Sequence, residues 1–139
     1  MRAVLDTNVL AAGFVHPDPP PGQLLQAWRE SRYELIASQH ILVELARTFQ
    51  QPYFSRHFTP AQQTNNLMLL ATHAIITLIT FEVTGVATHP EDDMIPAAAV
   101  SAAADYLVTG DAKLQSLGGY RGVTILSPRS FLKVLDSAA

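Results

Sequence analysis

Val4-Leu5-Asp6-Thr7-Asn8 sets a short apolar run directly against three turn-forming polar residues. A run of this kind suits a buried strand of a parallel sheet, and Asp6 then stands at the strand's carboxyl end. Tyr106-Leu107-Val108-Thr109-Gly110-Asp111 repeats the pattern a hundred residues later and places Asp111 in the same way. Between and after these two stretches, strands alternate with helices. Leu24, Leu25 and Trp28 mark a helix over Gly22 to Arg32, followed by a strand over Tyr33 to Ala37. Ser38 caps a helix whose apolar face is Ile41, Leu42, Leu45 and Phe49 and which stops before Pro52. Thr59 and Pro60 open another helix, over about Ala61 to His73, and the β-branched stretch Ala74 to Phe81 reads as a strand. Asp92 or Asp93 caps an alanine-rich helix ending near Ala104. Val123 to Leu126 is the last strand, with Ser127-Pro128 starting the final helix. The proline-rich segment His16 to Gly22 reads as a rigid loop.

This alternation predicts an α/β fold with a parallel sheet and helices on both faces. In such sheets the ligand site lies outside the carboxyl ends of the strands, where Asp6 and Asp111 are placed.

The 139 residues, 48% of them hydrophobic, suit one domain spanning 1–139. With no cysteine, thiolate metal sites, disulfides and a cysteine nucleophile are excluded. An acid at residue 6 leaves no room for a signal peptide's apolar region, so a cytoplasmic location is expected. The greasy stretch Leu67 to Phe81 falls short of the roughly 20 apolar residues of a membrane span. Twelve acids against nine bases give a net charge of −3, against a protein that binds phosphate through a broadly basic surface. Setting aside Asp6, Glu44, Asp93 and Asp111 as one site leaves nine bases against eight acids. Nucleic acid can then approach a mildly basic surface if a cation neutralises the acidic pocket.

The sequence contains no G-x-S-x-G, dinucleotide-binding glycine fingerprint, Walker A segment or H-E-x-x-H. His40 and Glu44 are four apart on one helix, but zinc needs further histidines. What remains is carboxylates: Asp6, Glu44, Asp92, Asp93 and Asp111. Each alone has an ordinary role, as a helix cap (Asp92, Asp93), a turn residue (Asp111) or a solvated helix edge (Glu44). Asp6 is the hardest to dismiss, because solubility poorly explains a carboxylate ending a buried strand. Arg47, Arg56, Lys113 and Arg129 read as surface solvation, with phosphate contact as the alternative. Converging carboxylates repel unless a hard cation is present, and all-oxygen ligation is what Mg²⁺ or Mn²⁺ prefers. Such ions activate water, neutralise a scissile phosphate and stabilise the leaving oxygen, so phosphodiester hydrolysis is the leading chemistry.

Four segments together resemble PIN-domain ribonucleases: Val4 to Leu10, the helix Ser38 to Phe49 carrying Glu44, His89-Pro90-Glu91-Asp92-Asp93-Met94-Ile95, and Ala104 to Asp111. The resemblance runs from residue 2 to about residue 132. It implies that Asp6, Glu44, Asp93 and Asp111 form the metal-binding cluster, with Asp6 and Asp93 as principal ligands, and that Thr7, Asn8 and Thr109 orient the carboxylates. Asp93 is taken over Asp92 because it aligns with the family's ligand. The segment departs from the family's acid-Pro-acid-Asp-Asp run in carrying His89. The resemblance also implies hydrolysis of single-stranded RNA, a toxin role, a small antitoxin partner and a homodimer. The competing expectations are a catalytically silent module that binds RNA or protein, and an aspartyl phosphatase, which Asn8 weakens because a D-x-D arrangement needs an acid there. A surplus of large apolar side chains, on the helices carrying Leu24, Leu25 and Trp28 and around Phe49, Tyr53 and Phe54, is expected to form an interface.

Overall fold

The computed structural model describes residues 1–138, so the last residue of the expected domain, Ala139, lies outside them. Six strands form one sheet: β1 (Arg2–Leu5), β2 (Glu34–Ser38), β3 (Ile75–Thr77), β4 (Tyr106–Val108), β5 (Gly119–Tyr120) and β6 (Val123–Leu126), in the order β3-β2-β1-β4-β6-β5. All pairings are parallel except β5 with β6. The apolar run at the N-terminus becomes the central strand because both faces of it are covered: Ala3, Val4 and Leu5 have no exposed surface.

The helices are α1 (Thr7–Val15), α2 (Pro20–Arg29), α3 (Gln39–Phe49), α4 (Pro52–Ser55), α5 (Pro60–His73), α6 (Met94–Ser101), α7 (Ala112–Leu117) and α8 (Pro128–Ser137). They flank the sheet on both faces. α6 lies across β1, β2 and β4, and α1 packs on α2 and α3, with α8 against α2. No helix among the described residues is long and apolar enough to cross a membrane. The expected caps form: the side chains of Ser38, Thr59 and Ser127 accept the N–H groups of Ile41, Gln62 and Ser130, and Gln62 completes a capping box.

Several boundaries differ from the expectation. Pro20 and Pro21 are not loop but the first turn of α2, where a missing N–H costs nothing. The true loop, His16 to Pro19, folds back over that turn so tightly that a Cβ on Gly22 would lie 2.0 Å from the His16 carbonyl oxygen. The strand expected over Ala74 to Phe81 ends at Thr77, because the N–H groups of Thr80 and Phe81 turn to the Ser101 hydroxyl instead of a neighbouring strand. The alanine-rich helix ends at Ser101: Ala103 takes a left-handed conformation (φ 51°) and the Ala104 N–H returns to the Ala99 carbonyl at 2.9 Å. Helix α7 and strand β5, which joins the expected β6 in a hairpin closed by Arg121 and Gly122 at φ 47° and 85°, are not among the expected elements.

The expected apolar surplus is largely core. Leu24, Leu25, Trp28 and Phe49 are buried, Phe54 is half-buried, and of this group Tyr53 alone is exposed. The ring of Phe49 meets those of Phe14, Phe54 and Phe58 edge-on at 5.5–6.2 Å, which accounts for the apolar side chains around it.

Candidate active site

Strand order reverses direction at β1. The chain goes from β1 out to β2 and β3 on one side, and continues with β4 and β6 on the other. At such a switch point the loops leaving two adjacent strands diverge and open a crevice at their carboxyl ends. Asp6 leaves β1 there, with its N–H bonded to the Val108 carbonyl at 2.9 Å, and Asp111 follows β4 by three residues. A cleft of about 320 Å³ at this point is lined by Asp6, Asn8, Thr88, His89, Asp92, Gly110 and Asp111.

Thr109 joins the two strand-end acids. Its buried hydroxyl donates to Asp6 Oδ2 at 2.8 Å and accepts the Asp111 N–H at 3.0 Å. Burial raises the Asp6 carboxyl above its ordinary range against the pull of the Thr109 hydrogen bond, and the charges of Asp92 and Glu44 push the same way as burial. Glu44, on α3, does not line the cleft, although its charge bears on Asp6 and Asp92: the Thr7 hydroxyl donates to its Oε1 at 3.0 Å, and His40 Nε2 lies 3.2 Å from the same oxygen. Thr7 and Thr109 thus each donate a hydroxyl to a carboxylate, and Asn8 lines the cleft itself.

Asp111 is held differently. Partial burial works to raise its carboxyl, but hydrogen bonds outweigh it and bring the group below its ordinary range. The Leu114 N–H caps α7 through Oδ1 at 3.0 Å, the Thr88 hydroxyl reaches Oδ1 at 2.8 Å, and the Thr88 N–H reaches Oδ2 at 3.0 Å. Asp111 is therefore both the turn residue that its sequence suggests and a wall of the cleft.

The adjacent acids Asp92 and Asp93, in the 3₁₀ turn Pro90–Asp93, face different ways. Asp92 lines the cleft, and its carboxyl is raised by burial first and then by the charges of Glu44, Glu91 and Asp111, with His89 opposing. Asp93 does not line the cleft. Its buried carboxylate accepts three backbone N–H groups, from Gly85 (2.9 Å), Val86 (3.1 Å) and Ala87 (2.8 Å). The expectation that Asp93 is the inward residue is corrected here: the loop preceding the turn offers three donors on one side, and these claim Asp93 and rotate Asp92 toward Asp6. Neither caps α6 with its side chain. Lys113, a candidate for phosphate contact, is also engaged by that loop, donating to the carbonyls of Gly85 (3.0 Å) and Ala87 (3.5 Å).

Thr88 and His89 also line the cleft, and neither is among the site residues expected from the sequence. The available signal was their place directly before the acidic run. A larger cavity, about 480 Å³ between α2 and α8, has Arg29, Glu30, Arg32 and Asp136 at its rim. Two of these form an exposed ion pair, Arg32 with Asp136 at 3.4 Å, and no acids converge there as they do around Asp6. Among the described residues no three acids or histidines stand close enough together to enclose a metal ion. Three of the residues lining the cleft are nevertheless acids, Asp6, Asp92 and Asp111, and two of them have carboxyls raised by burial and by neighbouring negative charge, which is the strain a hard cation relieves.

Comparison with curated proteins finds no match. Among solved structures, the chain is similar to one described as VapBC2 from Rickettsia felis bound to a DNA fragment from their promoter. The two are 16% identical with a TM-score of 0.57, over 90% of this chain and 97% of that one. At that identity the likeness concerns the fold alone. The PIN domain family model matches residues 2–113, from the first residue of β1 through the strand-end acids Asp6 and Asp111, and the chain therefore belongs to the PIN domain family.

Proposed function

We propose that this PIN domain is an endoribonuclease that hydrolyses phosphodiester bonds of single-stranded RNA with Mg²⁺ or Mn²⁺. The observation that carries the proposal is the cleft at the sheet's switch point, where Asp6 and Asp111 are tied by one buried hydroxyl and Asp92 faces them. Asp6, Asp92 and Asp111, which do not enclose an ion as they stand, would draw together on the cation to hold it, and Asp92 would take the role that the resemblance gave to Asp93. When bound, the ion supplies Lewis-acid neutralisation of the phosphate and lowers the pKa of water.

The chain's own part is orientation. Thr109 fixes the Asp6 carboxylate, Thr7 fixes Glu44, and the Asn8 amide at the cleft wall offers a donor to a phosphate or sugar oxygen. Desolvation of Asp6 matters because a carboxylate freed of competing water interacts more strongly with a cation once both are in the cleft.

The likeness to VapBC2 bound to promoter DNA, taken with the resemblance drawn from the sequence, supports a toxin that pairs with a small antitoxin. A homodimer rests on the resemblance alone, since the apolar residues first expected at an interface are mostly in the core. The second reading, a catalytically silent module that binds RNA or protein, is favoured by one observation: Asp111 already accepts three hydrogen bonds. Cleavage of an unstructured RNA in Mg²⁺ or Mn²⁺, abolished by chelator and by Asp6→Asn, supports the nuclease. Intact RNA under all those conditions supports the silent module.

A further inference from the structure

The segment before the acidic turn is tied down at every step. Asp93 takes the N–H groups of Gly85, Val86 and Ala87, Lys113 takes the carbonyls of Gly85 and Ala87, and Asp111 takes both the N–H and the hydroxyl of Thr88. His89 comes next, at φ −112° and ψ 137°, an extended conformation that Pro90 enforces on the residue before it. Its carbonyl accepts the Asp92 N–H at 3.0 Å. The backbone of His89 is therefore held on both sides, while its side chain is exposed at the cleft that Asp6, Asp92 and Asp111 line.

The surroundings decide what such a ring is for. Carboxylates dominate the cleft, which without a cation repels phosphate, and Lys113 is engaged by the loop. A bound cation would neutralise the phosphate but gives no hold on the base, so affinity for a nucleotide beside the cleft also needs a contact to the base itself. His89 supplies the only aromatic ring among the residues lining the cleft, and nucleobases stack on imidazole faces whatever their identity. Resting on the ribonuclease reading above, we propose that His89 is a stacking platform for an unpaired nucleobase next to the scissile phosphate. A paired base has its faces covered by its neighbours in the duplex, so the platform selects single strands.

The test uses the full chain carrying Asp6→Asn, so that substrate survives, with a fluorescent single-stranded RNA and its duplex in Mg²⁺, read by anisotropy. Adding His89→Ala or His89→Gln weakens single-strand binding by about five- to a hundredfold, the range for losing one stacked base. His89→Phe keeps it, and duplex binding is weak and indifferent to all three. In the chain with Asp6 intact, His89→Ala raises KM far more than it lowers kcat, which a purely structural role does not do. Binding that ignores His89→Ala overturns the proposal. So does affinity that survives His89→Gln and is lost with His89→Phe, since a hydrogen bond to phosphate then replaces stacking. A protein that neither binds nor cleaves RNA with His89 intact overturns the ribonuclease reading and this inference with it, and that result is distinct from binding that is present but blind to His89.

Discussion

The strand-end acids and the acids of the 3₁₀ turn are positioned by different physics. Asp6 and Asp111 lie 105 positions apart in the chain, yet the pairing of β1 with β4 brings them to one edge and one hydroxyl spans them. Asp92 and Asp93 are neighbours in the chain and do opposite things: one faces the cleft and the other anchors a loop. The lesson is that the sheet fixes position irrespective of sequence distance, whereas a helical turn separates neighbours by rotating each about 100–120° from the last. Which of the two faces inward depends on what the loop offers the other.

Removing one carboxylate charge at a time separates the two kinds of acid. Asp6→Asn and Asp92→Asn should each lower RNA cleavage by more than the roughly 10- to 100-fold that residues behind a metal ligand cost, with the circular-dichroism spectrum unchanged. Cleavage that survives Asp92→Asn but not Asp93→Asn would return the ligand role to Asp93. Asp93→Asn should act instead on stability. An amide cannot accept three N–H groups as a carboxylate does, so about 3 kcal/mol is lost, which is roughly a 10 °C fall in Tm for a chain of this size. Heat denaturation followed alongside cleavage per folded molecule separates the two roles.

Metal should tell the two pairs apart as well. A cation that binds only the folded protein stabilises it by about 2.7 kcal/mol at a hundredfold excess over Kd. Mn²⁺ should therefore raise the Tm of the wild type and of Asp93→Asn by similar amounts, and that of Asp6→Asn by less. Sodium at matched ionic strength should do less than Mn²⁺, because screening is not coordination. A wild-type Tm blind to millimolar Mn²⁺ would argue that the cleft holds no cation. Thr109→Val removes the hydroxyl between the strand-end acids at constant shape and should cost about 10- to 100-fold in cleavage, read mainly in kcat.

The smallest effect is in the pH dependence without metal. The Asp6 and Asp92 carboxyls are raised from 3.8, so their contribution to stability is full below that value and is lost as pH rises through their folded values. Asp111 is lowered and works oppositely, contributing above 3.8 and losing that contribution as pH falls through its folded value. Asp6→Asn should therefore melt higher than the wild type at neutral pH in chelator, with the gap closing below pH 3.8. A gap independent of pH would mean that repulsion at Asp6 is not its source.

Much of the fold is legible because it is encoded over short distances. A hydroxyl cap, a proline in the first turn and an apolar run of four residues each act within one turn or one strand, so β1, β2, α3, α5, β6 and α8 stand close to where they were expected. The misses have two origins, elements too short to show a pattern and a partner distant in sequence. Helix α7 has six residues, too few for a periodicity to show, and β5 has two. The strand over Ala74 to Phe81 was cut short by the hydroxyl of Ser101, twenty residues away in sequence.

Carboxylates at strand ends, hydroxyls next to the acids and the lack of any thiol are legible from the residues alone, since residue type and secondary-structure period need no knowledge of distant neighbours. That Asp92 and not Asp93 enters the cleft, that Lys113 is engaged by a loop and that His89 lines the cleft are outcomes of how the chain packs. Those outcomes depend on which backbone N–H and C=O groups a loop leaves unpaired once it is laid against the sheet, and each such group must find a partner before a side chain is free to face the site.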